Sequence, residues 1–122
     1  MIGYTTLGSN NIDESAKFYD ALFSVCGGSR IMDMGTFILW GTSLEDSGLA
    51  LTKPFDGNTA SVGNGVMVAI RASSKEEVDA IYQKAIEQGG TDEGEPGPRG
   101  DGFYAGYFRD LEGNKLNAFF MG

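Results

Sequence analysis

The chain carries one pattern twice. An alternating stretch from Ile2 to Ser9 reads as a strand. It leads into a run where Ile12, Ala16, Tyr19, Leu22, Phe23 and Cys26 recur at three- and four-residue spacing, an amphipathic helix with a single apolar stripe. Gly27-Gly28 stops it, and strand-like runs follow at Arg30 to Met34, Thr36 to Trp40 and Leu49 to Thr52. Residues 53–64 (KPFDGNTASVGN) have linker composition, and then the order begins again. Val66 to Ile70 reads as a strand, and Val78, Ile81, Tyr82, Ala85 and Ile86 form a second stripe ended by Gly89-Gly90. In residues 92–102 (DEGEPGPRGDG), Gly94 and Pro96 block a helix and predict a loop or ragged strand. Strands at Phe103 to Arg109 and Lys115 to Phe120 close the chain.

The copies keep a nearly fixed offset. Tyr4 and Met67 stand 63 residues apart, as do Phe18-Tyr19 and Ile81-Tyr82, and the glycine pairs stand 62 apart. Each half therefore reads β-α-β-β-β, which predicts an α+β fold in a single domain: module one over 1–52, a linker over 53–64 and module two over 65–122. Helices are expected over Asp13 to Cys26, after the Asn10-Asn11 cap, and over Lys75 to Gln88, with Ser73 as N-cap and Glu76 completing a capping box. One helix and a few strands cannot bury their apolar faces alone, so the copies must pack together or be shared with a second chain.

Composition narrows the chemistry. The sequence has no histidine, which removes the commonest metal ligand and the usual acid–base group near neutral pH. A net charge of −8 argues against nucleic acid and anionic membrane as partners and suits a cationic ligand. The single Cys26 cannot form an internal disulfide, which fits a reducing cytoplasm. No signal peptide and no apolar run of membrane-spanning length is visible. The acidic runs Asp92, Glu93, Glu95, Asp101 and Glu45-Asp46 lack the ligand spacing of a calcium loop.

The closing Asp110-Leu111-Glu112-Gly113-Asn114-Lys115-Leu116-Asn117 resembles the D-P-D-G-N-x-x-E signature of the vicinal oxygen chelate superfamily, the group of glyoxalases, bleomycin-resistance proteins and extradiol dioxygenases. Tyr4-Thr5-Thr6-Leu7, Asn11-Ile12, Ser15 and Phe18-Tyr19 resemble its H-x-x-L…D-L…S…F-Y opening. The resemblance implies two βαβββ modules curling mixed sheets around a shared cleft, commonly in a homodimer. It also implies four metal-ligand positions, which fall here on Tyr4, Ala50 (in Leu49-Ala50-Leu51-Thr52), Met67 and Asn117. Neither an alanine nor a thioether suits a hard or borderline divalent ion, so no metal and no cofactor is expected.

Strand parity places Tyr4, Thr6, Met67, Ala69 and Asn117 on cleft-facing positions. Asn117 must bond its neighbours or wait for a ligand, since a buried amide needs partners. Trp40 and Tyr107 are candidate aromatic walls, or core rings. Arg99 is a candidate clamp for a carboxylate or phosphate, or a solvated loop residue. The expectation is a metal-free protein that binds a small organic molecule. The alternatives are a lyase- or isomerase-type enzyme using a displaced metal or Tyr/Asn chemistry, and a non-catalytic dimeric module.

Overall fold

The computed structural model describes every residue from Met1 to Gly122. Two compact units divide it, Met1–Val62 and Gly63–Gly122. The first runs β1 (Tyr4–Gly8), α1 (Ile12–Ser24), β2 (Ser29–Asp33), β3 (Phe37–Gly41) and β4 (Gly48–Thr52). The second runs β5 (Val68–Arg71), α2 (Lys75–Glu87), β6 (Thr91–Pro98), β7 (Phe103–Arg109) and β8 (Lys115–Met121). Each is therefore a βαβββ module, and the fold is α+β as the repeated pattern predicts. Residues 53–62 fall in the first unit: Lys53 N–H donates to Thr36 O, and the Asn10 side chain both donates to and accepts from the backbone of Ala60.

In the first unit the strand order is β1-β4-β3-β2, with β1 and β4 parallel and the other pairs antiparallel. The register aligns Leu7 with Leu51 and Ile38, and Leu49 with Trp40, on one face of the sheet. Helix α1 supplies Ala16, Phe18, Tyr19, Leu22 and Phe23, all buried, as its apolar stripe. The rings meet there: Tyr19 and Phe23 lie 5.5 and 6.4 Å from Trp40. Burying an aromatic of this size contributes on the order of 2–3 kcal/mol, so this cluster anchors the unit. At its rim Trp40 Nε1–H donates to Asp20 at 2.9 Å, and Arg30 forks onto Asp20 at 2.7–2.8 Å while reaching Asp33. The Arg30 hydrogen bond, opposed by burial and helped by Trp40, holds the Asp20 carboxyl below the usual carboxylate range.

The second unit repeats the layout with order β5-β8-β7-β6. Val78, Ile81 and Ala85 of α2 are buried against the face carrying Phe108, and Tyr82 meets Phe108 edge-on at 6.5 Å. Two phenols tie the helix layer to its surroundings. Tyr82 donates to Asp92 on β6, and burial first, then that acceptor, pushes its phenol up to about 12. Tyr104 of β7 donates to Asp79 on α2, which raises its phenol as well. The helix cap lies one residue later than the sequence pattern suggests. Ser74 caps by accepting from Glu77 N–H, and Glu77 reaches back to Ser73 N–H. Ser73-Glu76 and Ser74-Glu77 have the same spacing, so the pattern alone cannot select the register. Residues 91–98 form an irregular edge strand, with its register shifted at Asp92/Gly94 and Gly94/Gly97.

A compact turn joins β7 to β8. Asp110 is 3% exposed, and its carboxylate accepts from Glu112 N–H, Asn114 N–H and Asn114 Nδ2, each at 2.9 Å. Gly113, at φ 93°, takes the left-handed conformation that closes the loop. Asp110→Ala strands three donors, of which both from Asn114 are in buried contacts, and is expected to cost about 2–4 kcal/mol in urea or thermal unfolding. A loss within the ordinary surface range of about 0.5 kcal/mol contradicts this account.

The Asp20 contact sets a second expectation. Its folded pKa lies below its unfolded value, so its stabilisation is present above the unfolded pKa and disappears as pH falls through the folded one. Asp20→Asn is therefore expected to flatten the acid limb of the stability curve from about pH 4 downward, measured as urea midpoints across pH. An unchanged acid limb rejects the assignment.

Candidate functional site

The second sheet uses its two faces differently. Along β8, Leu116 and Ala118 point to the α2 side, while Lys115, Asn117 and Phe119 point away from it. The register adds Ala69 and Arg71 of β5, and Ala105, Tyr107 and Arg109 of β7, to that outer face. Asn117 stands at its centre, paired with Ala69 on one side and Tyr107 on the other. Its side chain is buried at 2% exposure, yet Oδ1 has no hydrogen-bond donor. A buried acceptor left unpaired costs about 1–3 kcal/mol. Nothing within this chain supplies that donor.

Rings and cations surround the amide. The Tyr107 ring carries Arg99 and Lys115, each with its charge 5.6 Å from the centroid. Phe119 carries Arg71 at 5.2 Å and stacks on Phe103 at 5.6 Å. Arg99 lies just past the end of β6 and is not a loose side chain. Its guanidinium donates to Glu95 O at 2.6 Å and lies across Gly94 and Gly97, where a Cβ would come within 3.3 and 3.2 Å of its nitrogens. The small residues of the ragged strand thus make room for the guanidinium. Arg109 is engaged, with Glu93 at 2.9 Å and with Gly113 O. Arg71, Arg99 and Lys115 belong to no salt bridge.

The sequence candidates are distributed unevenly around this centre. Tyr107 and Arg99 stand beside Asn117, as described. Met67 precedes β5 and is 40% exposed. Tyr4 and Thr6 lie on the face of the first sheet away from α1. Thr6 pairs with Ala50, and Tyr4 is 54% exposed with its ring edge-on to Phe37 at 5.7 Å. Trp40, for which the sequence leaves a pocket wall or a core ring open, is a core ring: its register with Leu49 turns it toward α1. Arg71, Lys115 and Phe119 were not singled out by sequence. The signal was nonetheless present, because Lys115 and Phe119 share the parity of Asn117.

The four positions that the resemblance assigns to a metal do not fit one. Ala50 offers only a buried methyl, Met67 a soft thioether, Tyr4 a phenol and Asn117 a single amide oxygen. No group of three or more His, Cys, Asp and Glu residues is arranged to hold a metal ion. Three of the acidic loop residues are engaged internally: Asp46 accepts from the Thr42 and Ser43 hydroxyls, Asp92 from Tyr82 and Gly94, and Glu93 from Arg109. No helix is long and apolar enough to cross a membrane.

Comparison with known proteins agrees with this architecture. A crystal structure of a glyoxalase/bleomycin resistance protein from Albidiferax ferrireducens T118 is 33% identical, with a TM-score of 0.89 over 98% of this chain and 97% of that one. Two more share the fold at lower identity. One is a glyoxalase/bleomycin resistance protein/dioxygenase family enzyme from Burkholderia phytofirmans PsJN (19%, TM-score 0.76, covering 96% and 95%). The other is a glyoxalase-related enzyme from Fulvimarina pelagi (20%, TM-score 0.78, covering 98% and 87%). A search of curated proteins returns no match. The sequence model of one family matches residues 1–118, nearly the whole chain with both βαβββ units, so the protein belongs to the glyoxalase/bleomycin resistance protein/dioxygenase superfamily.

Proposed function

We propose that this protein binds a small organic molecule on the outer face of the β5–β8 sheet, with Asn117 orienting it, and that it does so without a metal ion. The observation that carries this reading is the Asn117 oxygen, almost wholly buried yet without a donor. A structural amide would have its hydrogen bonds made within the sheet. This one keeps an acceptor free, beside the Tyr107 and Phe119 rings, whose edges can wall an apolar body. Polar groups held unsatisfied at a stability cost are characteristic of sites whose partner arrives later. The bleomycin-resistance side of the family name is the branch that agrees with a donor set unsuited to divalent ions.

Asn117→Leu separates binding from architecture. Replacing an unpaired polar side chain by an apolar one of related size should leave the melting temperature unchanged or raise it. Ligand affinity, measured by calorimetry on a molecule that co-purifies, should fall by about 1–3 kcal/mol, and the wild-type affinity should survive dialysis against chelator. A clear drop in melting temperature with affinity retained refutes the role given to Asn117.

A homodimer, which the family resemblance implies, completes the proposal. Both sheets are open, with β1 and β2, and β5 and β6, as their outer strands, and open sheet edges are commonly covered by association. Light scattering at micromolar concentration is expected to give twice the chain mass of 13.0 kDa. A mass equal to the single chain rejects it.

A further inference from the structure

We infer that the molecule bound beside Asn117 is an anion: a flat, ring-bearing carboxylate that also carries a hydrogen-bond donor. This rests on the binding reading given above and adds to it the ligand's charge and polarity. The whole chain has a net charge of −8, which by itself favours a cationic ligand. The local arrangement reverses that preference.

The chain has nine Lys and Arg residues. Lys17, Arg30, Lys84 and Arg109 are each neutralised by a carboxylate within 4.0 Å. Of the five that are not, Arg71, Arg99 and Lys115 gather on the one sheet face that holds Asn117. The chain has 17 Asp and Glu residues, and none of them pairs with these three. Each is instead held over a ring, Arg71 on Phe119 and both Arg99 and Lys115 on Tyr107. A cation–π contact orients the charge without neutralising it. Arg99 is further fixed by the Glu95 carbonyl and by the space above Gly94 and Gly97, so little side-chain entropy remains to be lost on binding.

The other requirements follow from the same residues. Two cations converging on Tyr107 suit a carboxylate at that end. Tyr107 and Phe119, whose faces already carry the cations, leave ring edges against which a planar body can pack. The unpaired Asn117 oxygen accepts, so the molecule must bring an O–H or N–H to it. A positively charged ligand would face three uncompensated cations.

Three probes of one shape test this: 4-hydroxybenzoate, the neutral 4-hydroxybenzamide and the cationic 4-hydroxybenzylamine. Each is titrated to millimolar concentration into the intact isotope-labelled protein, following the Asn117 side-chain amide and the Arg Nε–H signals by NMR. The carboxylate is expected to bind best, shifting Asn117, and to weaken with added salt. Arg99→Gln and Lys115→Gln are each expected to weaken the carboxylate about tenfold while leaving the neutral amide within about twofold. Equal or tighter binding of the amide or the amine overturns the anion preference and leaves small-molecule binding at Asn117 standing. Shifts of Asn117 by none of the three overturn both. If either Gln variant loses the dispersed spectrum of a folded protein, Arg71→Lys with Arg99→Lys replaces it. That pair keeps the charge and must then retain the preference for carboxylate.

Discussion

The arrangement of the second unit depends on a five-residue turn built around one buried carboxylate. The Asp110 carboxylate gathers two backbone N–H groups and the Asn114 amide, and the Asp110 N–H donates to Asn114 O. That fixes which residue of β7 stands opposite which residue of β8. Side chains alternate along a strand, so a shift of one residue would exchange the two faces. Leu116 and Ala118 would leave the α2 core, and Asn117 would enter it. The turn is thus a register pin, and the pairing of Tyr107 with Asn117 is its downstream product. The Arg109 hydrogen bond to Gly113 O joins the pin to Glu93 on β6, so three strands feel the same constraint.

On the outer face the sequence spends its polarity sparingly. Ala69, paired with Asn117, and Ala105, paired with Phe119, are the small residues of this face. The charged residues lie on ring surfaces, where their stems cover apolar area and their heads remain solvated. Such an arrangement holds cations in place on a sheet without requiring acidic partners. It also explains how one face of a strongly acidic protein can differ from the average that composition reports.

Much of this was legible in the residues. The 63-residue offset and the two apolar stripes gave both modules, since periodicity depends only on which side of an element is buried. The shared face of Ala69 and Asn117 also followed from alternation. Three features resisted. Trp40 sits in a continuous apolar run, Phe37 to Trp40, where alternation is lost and the face cannot be read. The Gly and Pro of residues 92–102 leave a loop and a ragged strand open, and pairing with β7 decides for the strand. Arg99 then acquires its position from those same glycines, a tertiary consequence that no local pattern announces. The capping register of α2 was ambiguous because adjacent serines precede adjacent glutamates.

The place of Trp40 has a consequence for anyone who studies this protein in solution. It is the sole tryptophan, and its indole is enclosed by Tyr19, Phe23 and the Asp20 carboxylate of the first unit. Emission excited in the red edge of the absorption band therefore reports one module's core alone. Asn117 and Tyr107 belong to the other module, whose chromophores are tyrosine and phenylalanine only. The spectrum thus divides along the same line as the repeat, and unfolding followed by tryptophan and by far-ultraviolet signal will coincide only if the two modules melt as one cooperative unit.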